Sequence, residues 1–269
     1  MTLTMGASVD VPLDDLGAPR LIDVRSWQSS APQLLDTLAT LERGDNGLLA
    51  CFNAAFDVPS FVEAASKDDR FSLIESSDGQ VSNVLHRHDP SDRSARTDSF
   101  DFHNDGLYLA QPPDYCALYC LDPGNGNIPT IFVDSRHVVQ RLSSAGVSLQ
   151  ILSRLKQMYV DRRGVRHMYN IVRSHPKLGH TVLQYYGEGE LVASALQSCS
   201  LEGNKDLQRI KDVVYRCISE CNWNSLFWEK GKFVVWDNYA FLHARLTTKI
   251  DLRRHLARFW IRRAASMVT

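Results

Sequence analysis

Two histidines and one aspartate have the types and spacing of metal ligands. His103 and Asp105 are two residues apart in the segment FHNDG at 102–106, and His243 ends the segment WDNYAFLH at 236–243. On a β-strand, residues i and i+2 face the same side, so both side chains of the first segment can reach one ion. Two imidazoles and one carboxylate leave three positions open on an octahedral metal, as in non-haem Fe(II) sites. A histidine hydrogen-bonded to a carboxylate in the core would give the same short pattern.

Five segments in order resemble the taurine dioxygenase and clavaminate synthase-like family of Fe(II)/2-oxoglutarate oxygenases. The segments are FHNDG at 102–106, PTIF at 129–132, VRSHPKLG at 172–179, WDNYAFLH at 236–243 and RHLARFW at 254–260. Their spacing also matches, because Thr130 follows Asp105 by 25 residues, and two arginines follow the distal histidine by 11 and 15 residues. The resemblance covers residues 100–262, and the first 99 residues add little to it.

The resemblance implies a role for each matching residue. The expected iron ligands are His103, Asp105 and His243. Arg254 would bind the distal carboxylate of 2-oxoglutarate as a bidentate charge-assisted pair, and Thr130 would donate its hydroxyl to the same carboxylate. Arg258 would contact the cosubstrate or an anionic substrate. The alternatives are an ordinary β-branched strand residue at Thr130 and a structural ion pair at Arg258.

The resemblance also implies the reaction. An enzyme of this kind uses Fe(II), 2-oxoglutarate and O2 to oxidise a small molecule, and it releases succinate and CO2. Hydroxylation is the expected outcome, and desaturation or cyclisation of a natural-product intermediate would use the same residues. Asp105 argues against halogenation, because related halogenases lack this carboxylate. We expect a small polar substrate that is anionic or similar to an amino acid.

Three other functions share part of this pattern: an oxygenase acting on peptides or nucleic acid, a zinc hydrolase with the same ligands, and a non-catalytic jelly-roll binding protein. The formal net charge of −1 and the lack of a basic stripe argue against nucleic acid. The presence of all three candidate ligands together with Arg254 argues against a binding protein.

The polar segment from Asp89 to Asp98 directly precedes the His103 strand and is rich in turn-forming residues. We expect it to be a mobile lid that closes over the iron when substrate binds, with Gly187 to Gly203 as the alternative lid. His86 and His88, and Arg96 in the lid, are candidate substrate contacts. The two histidines could equally be surface residues.

Apolar spacing predicts the elements that must position these residues. Helical patterns cover 33–43, 59–66 and 207–221, and two more are expected within 137–159, broken near Gly146. Strands are expected at 47–52, 115–121, 130–133, 232–236 and 257–262. These elements predict a mainly β fold with flanking helices and a double-stranded β-helix (jelly-roll) core. We expect one domain over 1–269, with an N-terminal region at 1–99 and the iron-binding core at 100–269.

Composition and charge narrow the cellular setting. The chain has 269 residues, 44% of them hydrophobic, and contains no run of about 18 apolar residues. Six cysteines without a secretory signal are typical of free thiols in a reducing compartment, so we expect core cysteines and a cytoplasmic protein. We expect a small-molecule substrate and neither nucleic acid nor membrane as a partner. The oligomeric state is left open.

Overall fold

The computed structural model describes residues 22–41, 47–76, 79–85, 99–125, 128–160, 164–193, 204–245 and 253–264. The described strands of the first half are β1 Ile22–Ser29, β2 Leu49–Ala54, β3 Phe71–Leu73, β4 Ser82–Leu85, β5 Phe100–His103, β6 Tyr115–Asp122 and β7 Thr130–Asp134. Those of the second half are β8 Leu155–Val160, β9 Arg166–Asn170, β10 Val172–Ser174, β11 Thr181–Leu183, β12 Glu190–Ala193, β13 Asn224–Leu226, β14 Lys232–Asp237, β15 Phe241–Arg245 and β16 His255–Arg263. The described helices are α1 Ala31–Leu41, α2 Val58–Lys67, α3 Ser135–Ser144, α4 Leu149–Leu152 and α5 Asn204–Ser219.

Two sheets form the centre of the fold. The larger sheet has seven strands in the order β1-β2-β14-β6-β16-β3, and β4 pairs with β16 beside β3. The smaller sheet has the order β13-β7-β15-β5. Apart from the parallel pair β1–β2, all of these strand pairs are antiparallel. Two facing, largely antiparallel sheets are typical of the predicted jelly-roll core.

The side chains of each strand alternate between an inner and an outer face. In β14, Val234 and Trp236 belong to the core between the two sheets, whereas Phe233 and Val235 pack on the opposite side. In β15, His243 points inward and its neighbours Leu242 and Ala244 pack outward. This period of two is the reason that a buried β-sandwich can carry polar groups on one face without disrupting its outer core.

Helices cover the outer face of each sheet. The apolar sides of α1 and α2 pack on the larger sheet, where Leu34 and Phe61 join a buried cluster with Phe233 and Phe259. On the smaller sheet, α3 and α5 pack with the short sheet β12-β8-β9 and the hairpin β10–β11. None of the helices in the described ranges is long and apolar enough to cross a membrane.

One expectation about the elements needs correction. The second helical pattern expected within 137–159 is wrong beyond Leu152, because residues 155–160 form β8. Gly146, at a φ of 82°, ends the first helical segment as expected. Strands of the N-terminal region pair with strands of the region at 100–269, since β2 pairs with β14 and both β3 and β4 pair with β16.

Candidate metal centre

The three candidate ligands converge at the inner face of the smaller sheet. His103 is the last residue of β5, and His243 lies directly opposite it in the neighbouring strand β15. Their ring centroids are 4.0 Å apart, and Nε2 of His103 lies 3.9 Å from Oδ1 of Asp105. One possible ligand atom from each of the three residues lies within 4.8 Å of the other two, and all three side chains are buried. This spacing suits ligands around one ion.

Asp105 reaches this position from a turn and not from a strand. Because β5 ends at His103, the expectation that strand alternation places Asp105 beside His103 is wrong. The backbone N–H of Asp105 donates to Oδ1 of Asn238 at 2.9 Å, and Nδ2 of Asn238 donates back to the carbonyl of Asp105 at 2.9 Å. Gly106 continues the turn at a φ of 66°, a conformation that favours glycine.

A second asparagine joins the turn to the strand that carries His243. Nδ2 of Asn104 donates to the carbonyls of Asn238 and Phe241 at 2.6 and 3.1 Å, and its Oδ1 accepts the backbone N–H of Tyr185 at 2.9 Å. Both asparagines are buried and satisfied by backbone groups. They fix the distance between the two ligand-bearing segments without using either ligand side chain.

Hydrogen bonding sets the orientation of His103. Its Nδ1 lies 2.7 Å from the carbonyl oxygen of Asp101. A carbonyl only accepts, so Nδ1 carries the proton and the lone pair of Nε2 faces Asp105. Phe100 stacks on the ring of His103 with centroids 3.9 Å apart, and Trp236 packs against His243 at 4.7 Å. Trp236 is fully buried, as expected for a core residue.

The electrostatics favour metal binding by these three groups. Burial lowers the pKa of His103, and burial together with the neighbouring imidazole lowers the pKa of His243 well below its usual value. Burial alone would raise the pKa of Asp105, but Arg258 and the two histidines reverse this effect and bring it to about 2. Two neutral imidazoles and one carboxylate are therefore ready to bind a cation. Oδ2 of Asp105 and Nδ1 of His243 are buried without a hydrogen-bond partner in the described chain.

A buried carboxylate and histidine stabilise the loop before His243. Oδ1 of Asp237 accepts the backbone N–H of Tyr239 at 2.9 Å, and Oδ2 lies 2.9 Å from Nε2 of His175. Nδ1 of His175 accepts the N–H of Leu178 at 3.0 Å, so its proton is on Nε2, which donates to Asp237. These contacts give His175 a structural role, since it holds the carboxylate of Asp237 in place.

A cavity lies against the candidate ligands, and Thr130, Arg254 and Arg258 all line it. Nε1 of Trp228 donates to the hydroxyl of Thr130 at 3.1 Å, which leaves the hydroxyl hydrogen of Thr130 available to another acceptor. Arg254 is only 3% exposed, and none of the ion pairs of the described residues includes it. Burial, aided by the nearby Arg245, lowers the pKa of Arg254 to about 9. This end of the cavity therefore favours an anion.

Arg245 was not predicted from the sequence, and Arg258 was predicted without its main contact. Arg245 is buried and lines the cavity, two residues after His243 on the same face of β15. Strand spacing from His243 would have found it. Arg258 lies with Nη1 3.4 Å from Oδ1 of Asp105, so it contacts a candidate ligand directly. The candidate substrate residues His86 and His88, and the proposed lid at 89–98 with Arg96, lie outside the described residues.

Residues 51–260 match the family model of the taurine catabolism dioxygenase TauD, TfdA family. The chain belongs to this family. TauD/TfdA proteins are Fe(II)- and 2-oxoglutarate-dependent dioxygenases, so the expected enzyme class and the cofactors Fe(II), 2-oxoglutarate and O2 are confirmed. The match begins before residue 100 and thus includes most of β2 and the helix and strands that follow it.

The relatives of this chain differ in the activities for which they are named. The 3-((Z)-2-isocyanoethenyl)-1H-indole synthase of Fischerella ambigua (strain UTEX 1903) is 22% identical over 193 residues, which are 68% of this chain and 70% of the relative. The structure of PvcB from Pseudomonas aeruginosa has a TM-score of 0.63 at 20% identity, and the match covers 87% of this chain and 82% of PvcB. A putative taurine dioxygenase from Burkholderia xenovorans has a TM-score of 0.66 at 16% identity, covering 92% and 90%. At these identities the structures confirm the fold.

Proposed function

We propose that this TauD/TfdA protein oxidises a small organic anion at an iron held by His103, Asp105 and His243. The observation that carries the proposal is the convergence of three buried ligand atoms within 4.8 Å at the wall of a cavity whose other end is cationic. Iron(II) accepts this ligand set and keeps three positions open. A zinc hydrolase with the same ligands would not require a buried arginine that is positioned to bind an anion.

The proposed site for 2-oxoglutarate is the Arg254 end of the cavity. A carboxylate there would give Arg254 the partner that no described residue supplies, and it would accept the hydroxyl hydrogen that Trp228 leaves available on Thr130. The guanidinium of Arg254 can form two parallel hydrogen bonds with a carboxylate. The opposite end of the same molecule would then face the three candidate ligands, which line the cavity or adjoin it.

Iron and 2-oxoglutarate together supply the O2-dependent oxidation, and the protein positions the reactants and excludes water. Asn104 and Asn238 hold the ligand-bearing segments in place, and Phe100 and Trp236 keep the imidazoles in apolar surroundings. We assign the anionic group of the substrate to Arg258. Once a cation binds Asp105, that cation neutralises the negative charge of the carboxylate. The positive charge of Arg258 is then less compensated and can attract a second anion.

Hydroxylation of the substrate is the first candidate outcome, and desaturation is the second. The relative from Fischerella ambigua is named for a product with an isocyanoethenyl group, and such a product contains a carbon–carbon double bond. Cyclisation would use the same residues. A non-catalytic binding protein is disfavoured, because the candidate ligands are all present, buried and within reach of one ion.

The test is anaerobic titration of the purified protein with Fe(II) and 2-oxoglutarate, followed by turnover in air with a panel of amino acids and organic acids. We expect a charge-transfer absorption band on adding 2-oxoglutarate, and succinate formation that rises with a suitable substrate. A product heavier by about 16 mass units indicates hydroxylation, and one lighter by about 2 indicates desaturation.

A matched pair of variants makes this experiment specific. Arg254→Met should abolish the charge-transfer band at 2-oxoglutarate concentrations that saturate the wild type, whereas Arg253→Met, at the exposed neighbouring position, should not change it. Activity with Zn(II) in place of Fe(II), or no band and no succinate in the wild type, would overturn the proposal.

A further inference from the structure

Beside the metal centre, five aromatic side chains follow one another in ring contact. We call them the aromatic collar, and its members are Tyr108, Tyr159, His167, Tyr186 and Trp260. From Tyr186 to Tyr159, then His167, Tyr108 and Trp260, the successive centroids are 4.8, 6.3, 5.6 and 6.1 Å apart. These residues come from four separate parts of the chain.

The two ends of the collar both return to the candidate ligands. At one end, the ring of Tyr186 lies edge-on to His103, with centroids 6.3 Å apart and an interplanar angle of 83°. At the other end, Trp260 lies 5.1 Å from the guanidinium carbon of Arg258, which in turn contacts Asp105 at 3.4 Å. Because His103 and Asp105 are neighbours, the contacts form a closed circuit with two metal ligands on one side.

Most of the collar is not part of a hydrophobic core. Trp260 belongs to the core between the sheets, but the other four members lie outside all three buried clusters of the described residues. Tyr108 is 39% exposed, and Tyr159, His167 and Tyr186 are partly exposed. Adjacent aromatic faces that stay accessible beside a reactive centre are typical of ligand sites.

One member of the collar, Tyr186, is held in place beside the strand that carries His103. Oε1 of Gln157 accepts the N–H of Tyr186 at 2.8 Å, and Nε2 of Gln157 donates to the carbonyl of Tyr186 at 2.6 Å. Tyr186 also forms a backbone bridge with His103. A Cβ at Gly189 would lie 2.6 Å from Cγ of Gln157, so only glycine at this position leaves room for the Gln157 side chain. The position of Tyr186 relative to the metal ligands is thus determined by backbone contacts.

We propose that the aromatic collar is the substrate site and that the substrate is a carboxylic acid bearing a planar aromatic ring. The ring packs against Tyr159, His167 and Tyr186, where edge-to-face contacts favour π systems over saturated rings. The carboxylate lies toward Arg258, and the atoms between ring and carboxylate face the metal ligands. This inference rests on the proposed function and adds the class of substrate to it.

The test compares two probes with the same acid chain, 3-phenylpropionate and 3-cyclohexylpropionate. Their binding is measured by calorimetry on the full chain loaded with Mn(II) and 2-oxoglutarate, under anaerobic conditions and without turnover. We expect 3-phenylpropionate to bind about two- to tenfold more tightly, in line with the preference of aromatic pairs over simple area burial. Equal affinity of the two probes, or no binding of either, would overturn the proposal.

Variants locate the binding surface. Tyr159→Leu and His167→Leu should each remove the preference for 3-phenylpropionate and leave 2-oxoglutarate affinity unchanged. Met168→Leu is the control, because Met168 lies in the same strand as His167 but is 53% exposed on the other face. If both collar variants keep the wild-type preference, the ring binds elsewhere. Loss of Mn(II) or 2-oxoglutarate binding in the wild type would instead contradict the proposed function.

Discussion

Replacing Arg254 with methionine should stabilise the empty protein while abolishing its response to 2-oxoglutarate. The guanidinium is 3% exposed, and burial lowers its pKa to about 9. The shift from the usual 12.5 is about 3.5 pKa units, and at about 1.4 kcal/mol per unit the folded protein loses on the order of 5 kcal/mol by keeping this charge buried. The ring of Trp228, 5.8 Å from the guanidinium carbon, offsets part of that loss. Methionine fills similar space without a charge, so we expect a net gain of about 1–3 kcal/mol.

The gain should not depend on pH between about 6 and 8. In this range Arg254 is protonated in both the folded and the unfolded chain, since both pKa values lie above 8. The destabilisation is then constant, and it would be relieved only as the pH rises through the folded value near 9. In a chain of this size, 1–3 kcal/mol corresponds to a rise in melting temperature of roughly 2–10 °C.

Thermal unfolding with and without Mn(II) and 2-oxoglutarate separates the two effects. At a hundredfold excess over the dissociation constant, 2-oxoglutarate should stabilise the wild type by about 2.7 kcal/mol and leave Arg254→Met unchanged. Arg253→Met, at an exposed position, should behave as wild type in both conditions. A variant that melts earlier than wild type when empty, or that 2-oxoglutarate still stabilises, would refute the reasoning.

Three further predictions concern the rest of the site. His243→Ala should lower Mn(II) affinity by at least about 100-fold in calorimetry with unchanged circular dichroism, because one of three ligands is lost; wild-type affinity would exclude the triad. Asn238→Ala should weaken metal binding by about 10–100-fold, since it frees the backbone of Asp105, and retained affinity would show that the turn holds by itself. Thr130→Val should weaken 2-oxoglutarate binding by roughly tenfold, and Trp228→Phe should have no further effect in that background. Additive losses would mean that the two residues act separately.

The strands could be predicted from the sequence because their signal is local, whereas the candidate metal ligands were predicted from the resemblance of five ordered segments to a known family. Val234 and Trp236 alternate with Phe233 and Val235 in a short apolar run, and that period of two directly reports a sheet with two buried faces. The pairing of His243 opposite His103 needs the register of strands 140 residues apart, so no local pattern contains it.

The missed features depend on tertiary contacts. Residues 155–160 continue an apolar pattern that also suits a helix, and pairing with β9 and β12 decides for a strand. Asp105 was expected on a strand, but its position depends on side-chain hydrogen bonds from Asn238, 133 residues away. The collar likewise joins Tyr108, His167 and Trp260 from distant segments, and aromatic residues at such positions are individually unremarkable in sequence.

Charge balance in the site links the binding of metal and cosubstrate. Arg258 lies beside Asp105, while Arg254 and Arg245 share the other end of the cavity. A divalent cation alone would add positive charge to a region that already contains three guanidinium groups. A dianion alone would be repelled by the carboxylate of Asp105. When both bind, their charges neutralise each other, the cation pairs with the carboxylate of Asp105, and the dianion pairs with the guanidinium of Arg254.

Because coupling between two binding equilibria is reciprocal, 2-oxoglutarate should tighten Mn(II) binding by the same factor that Mn(II) tightens 2-oxoglutarate binding. The factor should shrink in Arg254→Met, where the dianion loses its buried cation, and an unchanged factor in calorimetry would show that the coupling arises from direct coordination alone.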